Sequence, residues 1–209
     1  MLADQSLREL LAAFASPAPT PAGGSASALS SAVGVSLLMM AASLARSRTG
    51  SDAEREALAT ARDALVPLQQ KLTAAVDLDH EAYRRLVSTR RVSAMPSLHS
   101  DEADEVTLRA LRRATDVPLE VMRTSCLAMQ QAPTVAAYCH RPASSDVRVA
   151  ILLMHAGFSG ALSSARDNLA RLADDAYVQI ARADIERLRL EADRMAEAAE
   201  RALPEPARG

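Results

Sequence analysis

From Ser25 to Ala45 the chain runs for 21 residues without a charge, and it reaches that run through Pro19-Thr20-Pro21-Ala22-Gly23-Gly24. A helix this long and this apolar must be covered on nearly every side or lie in a bilayer. Six of the 21 residues are serine and no Trp or Tyr flanks the run, which favours burial in protein over a membrane span. Proline cannot continue a helix, and glycine permits close backbone approach. Ser25 or Ser27 can cap the helix that follows, which the pattern predicts over about 25–46. A stiff loop feeding such a helix leaves free N–H groups and the positive end of the helix dipole pointing outward, a setting suited to an anionic or carbonyl-bearing ligand. The same residues also describe an ordinary capped helix start.

The rest of the composition points the same way. The chain has 209 residues, enough for one domain with a real core, and residues 1–203 read as a single helical domain with a disordered tail at 204–209. Hydrophobic residues make up 49% but aromatics only 2%, with no Trp, so Ala, Leu, Val and Met must fill the core. Small and flexible apolar side chains suit close helix–helix packing better than a sheet, where β-branched and aromatic residues are favoured. The net charge of -2 gives no bulk electrostatic case for nucleic acid. Cys126 and Cys139 have neither metal-ligand spacing nor a disulfide framework, and no metal cluster is expected. The opening MLADQSLREL lacks a basic region and a cleavage site, so it is not a signal peptide, and a cytoplasmic location is expected.

Helical spacing then divides the chain. Leu7, Leu10, Leu11 and Phe14 mark an amphipathic helix over 4–14. After a polar break, a long helix runs over 52–90 with Pro67 as a kink. Ser93 to His99 reads as a loop around Pro96, and Ser100 as the start of a helix that ends near Thr115. Pro118 reads as the first turn of a new helix, whose Leu119, Met122, Cys126 and Met129 share one face. Pro133 to Ser145 reads as a loop, and Ser144 or Ser145 as the cap of an apolar helix over 146–170. The last helix, 174–202, carries a seam of Ala181, Ile185, Leu188, Ala192, Met195, Ala199 and Ala202, suited to antiparallel packing or to a partner subunit. The expected fold is all-α: an antiparallel bundle of six to seven helices with two long buried helices. A homodimer covers those two helices more easily than a single layer of neighbours does.

The sharpest chemical signal lies on helix 52–90. Its seam reads Leu58, Ala61, Leu65, Leu68, Leu72, Ala75, Asp79, Ala82, Leu86, apolar at every position but Asp79. A carboxylate there is costly unless paired or protonated. It is therefore a candidate general acid or base with a raised pKa, and Tyr83 lies one turn on. The competing reading is an Asp paired with an Arg of a neighbouring helix, or one capping a backbone. Asp146 at a helix start reads either as a dipole-stabilising residue or as a ligand contact. Cys139 and His140 are adjacent, and adjacent residues rarely face each other as a thiolate–imidazole pair. His155 reads as a satisfied core histidine, while His80 and His99 read as exposed. Asn168 lies 22 residues beyond Asp146, roughly 33 Å along an unbroken helix, so the two serve one site only across a dimer.

Five segments, in order, resemble the formiminotransferase-cyclodeaminase C-terminal family, which includes stand-alone methenyltetrahydrofolate cyclohydrolases. They are Pro19–Ser25, Asp79 with Ala82-Tyr83, Ala114 to Val121 around Val117-Pro118-Leu119, Ser145-Asp146-Val147, and Asn168-Leu169. The resemblance covers about residues 5 to 200. It implies a helical dimer binding a tetrahydrofolate derivative near the Gly-rich loop, with no tightly bound cofactor. One possible reaction adds water to the 5,10-methenyl bridge to give the 10-formyl compound. The other closes the 5-formimino compound to the 5,10-methenyl form and expels ammonia. Each passes through a tetrahedral carbon between N5 and N10 and needs a group that moves protons. The resemblance implies Asp79 for that role with Tyr83 beside it. It places Thr20, Pro21, Gly23, Gly24, Ser25, Arg46, Arg48, His140, Ser145, Asp146 and Asn168 around the substrate.

The chain departs from the family pattern in three places. Ala22 stands where the first of three glycines is usual. Ala42 to Thr49 replaces an Asn-Leu-Thr and Gly-Lys-Lys run, with Arg46 and Arg48 in rough register. Cys139-His140 replaces Gly-Asn. No formiminotransferase domain precedes the segment, which leans the expectation toward the cyclohydrolase. The alternatives are a diverged member acting on another small molecule in specialised metabolism, with His140 and Ala22 as altered contacts, and a noncatalytic ligand-binding helical dimer.

Overall fold

In the computed structural model, which describes residues 1–93, 101–172 and 176–204, the first ordered feature is a 3-10 turn over Leu2–Asp4. Its backbone N–H groups at Leu2 and Ala3 donate to the buried carboxylate of Asp77. Seven α-helices follow among the described residues: α1 Leu7–Phe14, α2 Gly23–Ala42, α3 Asp52–Ser93, α4 Asp101–Met129, α5 Ala132–Tyr138, α6 Ser144–Leu169 and α7 Ala176–Ala202. No strand occurs among these residues, and the one β-bridge joins Ser47 to Cys139. The loop expected around Pro96, the helix start at Ser100, the exposure of His99 and the tail expected after Pro204 lie outside the described residues.

The all-α expectation holds, and so do the seams. On α3, Leu58, Ala61, Leu65, Leu72, Ala75, Ala82 and Leu86 are all buried. On α4, Leu119, Met122, Cys126 and Met129 are buried as well. The α7 seam from Ala181 to Ala202 packs into the same core, which runs from Leu2 to Leu203. The α7 seam is therefore satisfied within the chain.

The uncharged α2 and the long, largely apolar α6 form the centre. α2 packs chiefly against α6 and then α3, and α3 packs against α4. The α2–α6 pairing is antiparallel: Ser27 meets Gly160, the Ser30 hydroxyl donates to the Leu153 carbonyl at 2.8 Å, and Gly34 meets Ala150. Small residues set this spacing. A Cβ on Gly157 would run into Ser31 and the Ser27 carbonyl. Such close approach explains how a chain with 2% aromatics fills its core. By length and hydropathy α2 and α6 could each cross a membrane. Here they lie against each other, with Val33 and Met40 of α2 and Val149 and Leu152 of α6 left exposed.

Several boundaries differ from expectation for identifiable reasons. α2 begins at Gly23 and ends at Ala42, so neither Ser25 nor Ser27 caps it. Ser25 is in its first turn, and the Ser27 hydroxyl donates to the Gly23 carbonyl at 2.6 Å. α6 starts at Ser144 behind Ala143, so Ser144 and Ser145 do not cap it either. Pro133 opens α5 instead of a loop, because proline in a first turn forfeits no helix bond, and Val135 and Ala136 anchor that turn in the core. Pro118 lies inside α4 and does not begin a helix. Leu111, Ala114, Leu119 and Met122 on both sides of it face one core, which outweighs the single lost bond. On α1 the Ser6–Glu9 capping box forms, but only Leu10 is buried, while Leu7 and Leu11 are exposed. His155 is satisfied by Asp193 at 3.2 Å but is half-buried rather than in the core, and His80 is half-buried rather than exposed.

Candidate active site

The N-terminus of α2 lacks a cap of its own. Its N-cap residue is Ala22, which has no side chain to accept the first free N–H groups. The acceptor comes from α3: the Ser25 hydroxyl donates to Oδ2 of Asp79 at 2.9 Å. Gly24 makes this approach possible, since a Cβ there would fall within 2.5 Å of Asp79 Cγ. The seam carboxylate is thus turned toward a helix N-terminus, and among the described residues no Arg or Lys pairs with it. Burial pushes the Asp79 carboxyl above its ordinary range, and the Ser25 hydroxyl and N–H and the neighbouring His80 hold it back only in part. A carboxylate held so is a stronger base than a free one while it keeps access to both protonation states.

Asp79 opens into a cleft of about 220 Å³. Its floor is Ala82 of α3 and Ala114 of α4, both buried. Ala22, Gly23 and Gly24 form one wall, and Tyr83, half-buried one turn after Asp79, forms another. The C-terminal end of α6 closes the third side with Ser164, Asp167 and Asn168, followed by Arg171. Asn168 is held by a bond with a specific origin. Pro118 has no N–H, so the Ala114 carbonyl one turn earlier lacks its helical donor, and the Asn168 amide supplies one at 2.9 Å. This leaves the amide oxygen of Asn168 as an acceptor at the cleft. Among the described residues, no three of His, Cys, Asp and Glu come together in a group suited to a metal ion.

Of the residues named from sequence, Asp79, Tyr83, Gly23, Gly24 and Asn168 meet at this cleft. Ser25 is fully buried behind it and acts on Asp79. Thr20 and Pro21 are buried beside it, with the Thr20 hydroxyl 3.0 Å from Nδ1 of His80, so they fix the loop to α3. Arg46, Arg48, His140, Ser145 and Asp146 are elsewhere. They gather at the opposite end of the α2–α6 pair, a helix length of roughly 30 Å away. There Arg48 donates to the carbonyls of Ala136 and Ala202, and its own N–H donates to the Tyr138 carbonyl at 2.9 Å. Within one subunit these five residues do not reach Asp79.

Sequence reading missed Ala114, Ser164, Asp167 and Arg171. Three of these could have been found: Ser164 and Arg171 stand four before and three after Asn168, and Asp167 stands three after Ser164 and four before Arg171, so helical spacing links them. Ala114 lay within the Ala114 to Val121 segment but was not picked out as a site residue, because its role depends on a contact between α4 and α6.

The chain has relatives among known proteins. The Formiminotransferase-cyclodeaminase family pattern matches residues 6–187. The chain is 28% identical over 192 residues to the methenyltetrahydrofolate cyclohydrolase of Methylorubrum extorquens, covering 92% of each protein. Its fold superposes on the crystal structure of formiminotetrahydrofolate cyclodeaminase from Thermotoga maritima with a TM-score of 0.85, at 21% identity, over 97% of this chain and 98% of that one. An all-α fold of matching extent and a family pattern spanning the loop, the Asp79 helix and the Asn168 helix lead to one conclusion: the chain belongs to the formiminotransferase-cyclodeaminase family.

Proposed function

We propose that this protein is a folate one-carbon enzyme acting on the bridge between N5 and N10, and that it works as a methenyltetrahydrofolate cyclohydrolase. The observation that carries the reading is the Asp79 carboxylate, held by Ser25 at a helix N-terminus and opening into the cleft. The kinship with a protein named methenyltetrahydrofolate cyclohydrolase supports this choice between the two family reactions. The bridge carbon of 5,10-methenyltetrahydrofolate is cationic and open to water. Asp79, ionised, takes a proton from the water as its oxygen bonds to that carbon. The tetrahedral adduct then collapses: the C–N5 bond breaks, N5 receives the proton back, and the hydroxyl proton leaves to solvent as the formyl group forms on N10. Tyr83 lies beside this path and orients the water or the adduct. Asn168 and the N–H groups at Gly23 and Gly24 hold the pterin's polar edge.

The exposed apolar face of α2 and α6 supports a homodimer. A two-fold axis across the middle of α2 would set the Arg48 and His140 end of one copy against the Asp79 cleft of the other. That is the arrangement in which Arg46, Arg48, His140, Ser145 and Asp146 take part in binding. A cytoplasmic location and the absence of a tightly bound cofactor fit this reaction. Ala22, on the cleft wall where the family usually has glycine, favours a second reading in which the same machinery opens a different amidine-bearing small molecule. The test is turnover of 5,10-methenyltetrahydrofolate and of 5-formiminotetrahydrofolate by the purified protein. Faster loss of the methenyl compound supports the cyclohydrolase, ammonia release from the formimino compound supports the cyclodeaminase, and neither supports the second reading.

A further inference from the structure

We propose that Arg171 is a specificity-determining residue that receives a carboxylate of the substrate's glutamate tail. The inference rests on the folate reading above. The cleft measures about 220 Å³, below the roughly 300–1,000 Å³ of pockets that enclose a whole drug-sized ligand. A two-ring head fits such a space, and a long tail must leave it across the rim.

The charge on that rim is specific. Ala82 and Ala114 at the floor are buried, whereas Asp167 and Arg171 are exposed, which places these two at the mouth. Arg171 is the cation among the lining residues. Its neighbour Arg166 is engaged with Glu186 at 2.9 Å, but among the described residues the Arg171 guanidinium has no hydrogen bond or ion pair, even with Asp167 one turn earlier. Its position is nonetheless set by the backbone, because its N–H donates to the Asn168 carbonyl at 3.1 Å. A free guanidinium, on a residue whose backbone is anchored to Asn168, matches a carboxylate in charge and fork geometry. A cation past a helix end also complements the dipole, but that role is indifferent to what the substrate carries.

The experiment compares kcat/KM for 5,10-methenyltetrahydrofolate and for the 5,10-methenyltetrahydropteroate analogue, which lacks the glutamate. The proteins are the wild type, Arg171→Gln and Arg171→Lys, with Tm measured for each. The wild type is expected to favour the glutamate-bearing substrate about tenfold, the low end for a charged hydrogen bond at an exposed site. Arg171→Gln is expected to lose that preference through KM, and Arg171→Lys, which keeps the charge but not the fork, to retain only part of it. The proposal is overturned if the wild type is active without discriminating, or if Arg171→Gln discriminates as the wild type does. It is equally overturned if the variant slows both substrates alike with a lowered Tm. If the wild type turns over neither compound, the folate reading itself fails, an outcome distinct from those three.

Discussion

Ser25 donates its hydroxyl to Oδ2 of Asp79 across 2.9 Å, joining the first turn of α2 to the middle of α3. The one polar residue on the apolar seam of α3 is therefore the acceptor at a helix start whose own cap position, Ala22, supplies none. Asp79 is pulled two ways. Burial favours its neutral form, while the Ser25 hydroxyl and N–H favour the carboxylate, and burial is the larger effect.

That imbalance fixes the sign of a stability measurement. The folded-state pKa of Asp79 lies above its ordinary value of 3.8. Stability linked to this group is thus fully present below the unfolded pKa and is lost as pH rises through the raised folded pKa. Asp79→Asn removes this loss and retains an oxygen for Ser25. The variant should melt no lower than the wild type at neutral pH, and its Tm advantage should grow between pH 4 and pH 7. Thermal melts across that range check the sign.

Ser25→Ala removes a hydrogen bond that lowers the Asp79 pKa. The acidic limb of the kcat/KM profile should move to higher pH, so that the loss of activity is largest on the acid side and shrinks as pH rises. A profile that falls in height without moving would mean that Ser25 serves packing alone.

The sequence made the seam legible because a period of 3.5 residues leaves one carboxylate conspicuous among Leu and Ala, and the seam survives in the structure. It did not reveal how that carboxylate is satisfied. Asp79 and Ser25 are 54 residues apart, and neither residue's local pattern specifies the other. The serine after two glycines reads as a cap from local chemistry, whereas a carboxylate from another helix takes the capping role. Pro118 misled in the same way: its missing N–H reads as a helix start, but the orphaned Ala114 carbonyl is served by Asn168 from α6. Arg48 and Asp146 were grouped with Asp79 by resemblance, and the length of α2 separates them within one subunit.

The two glycines that open α2 should behave differently. Gly24→Ala forces a methyl group onto the Asp79 carboxyl, which should cost about 1–3 kcal/mol of stability and abolish activity. Gly23 has nothing within 4 Å of an added Cβ, so Gly23→Ala should keep or raise stability by up to about 1 kcal/mol. Its methyl group would enter the cleft and raise KM. Denaturant unfolding and steady-state kinetics on both variants separate the two effects.

Asn168 and Pro118 should be coupled. Asn168→Ala leaves the Ala114 carbonyl without a donor, at a cost of about 1–3 kcal/mol. Adding Pro118→Ala restores a backbone N–H one turn on, so the double variant should be more stable than Asn168→Ala alone. A double-mutant cycle by denaturant unfolding reads the coupling, and strict additivity would show that the two residues are independent.

The most direct measurement follows the methenyl absorbance band of 5,10-methenyltetrahydrofolate in matched buffer, with the wild type, with Asp79→Asn and without protein. Decay faster than buffer with the wild type, reduced about 10²–10⁴-fold in a folded Asp79→Asn, is the expected result. Equal acceleration by both proteins would contradict Asp79 as the group that moves the proton.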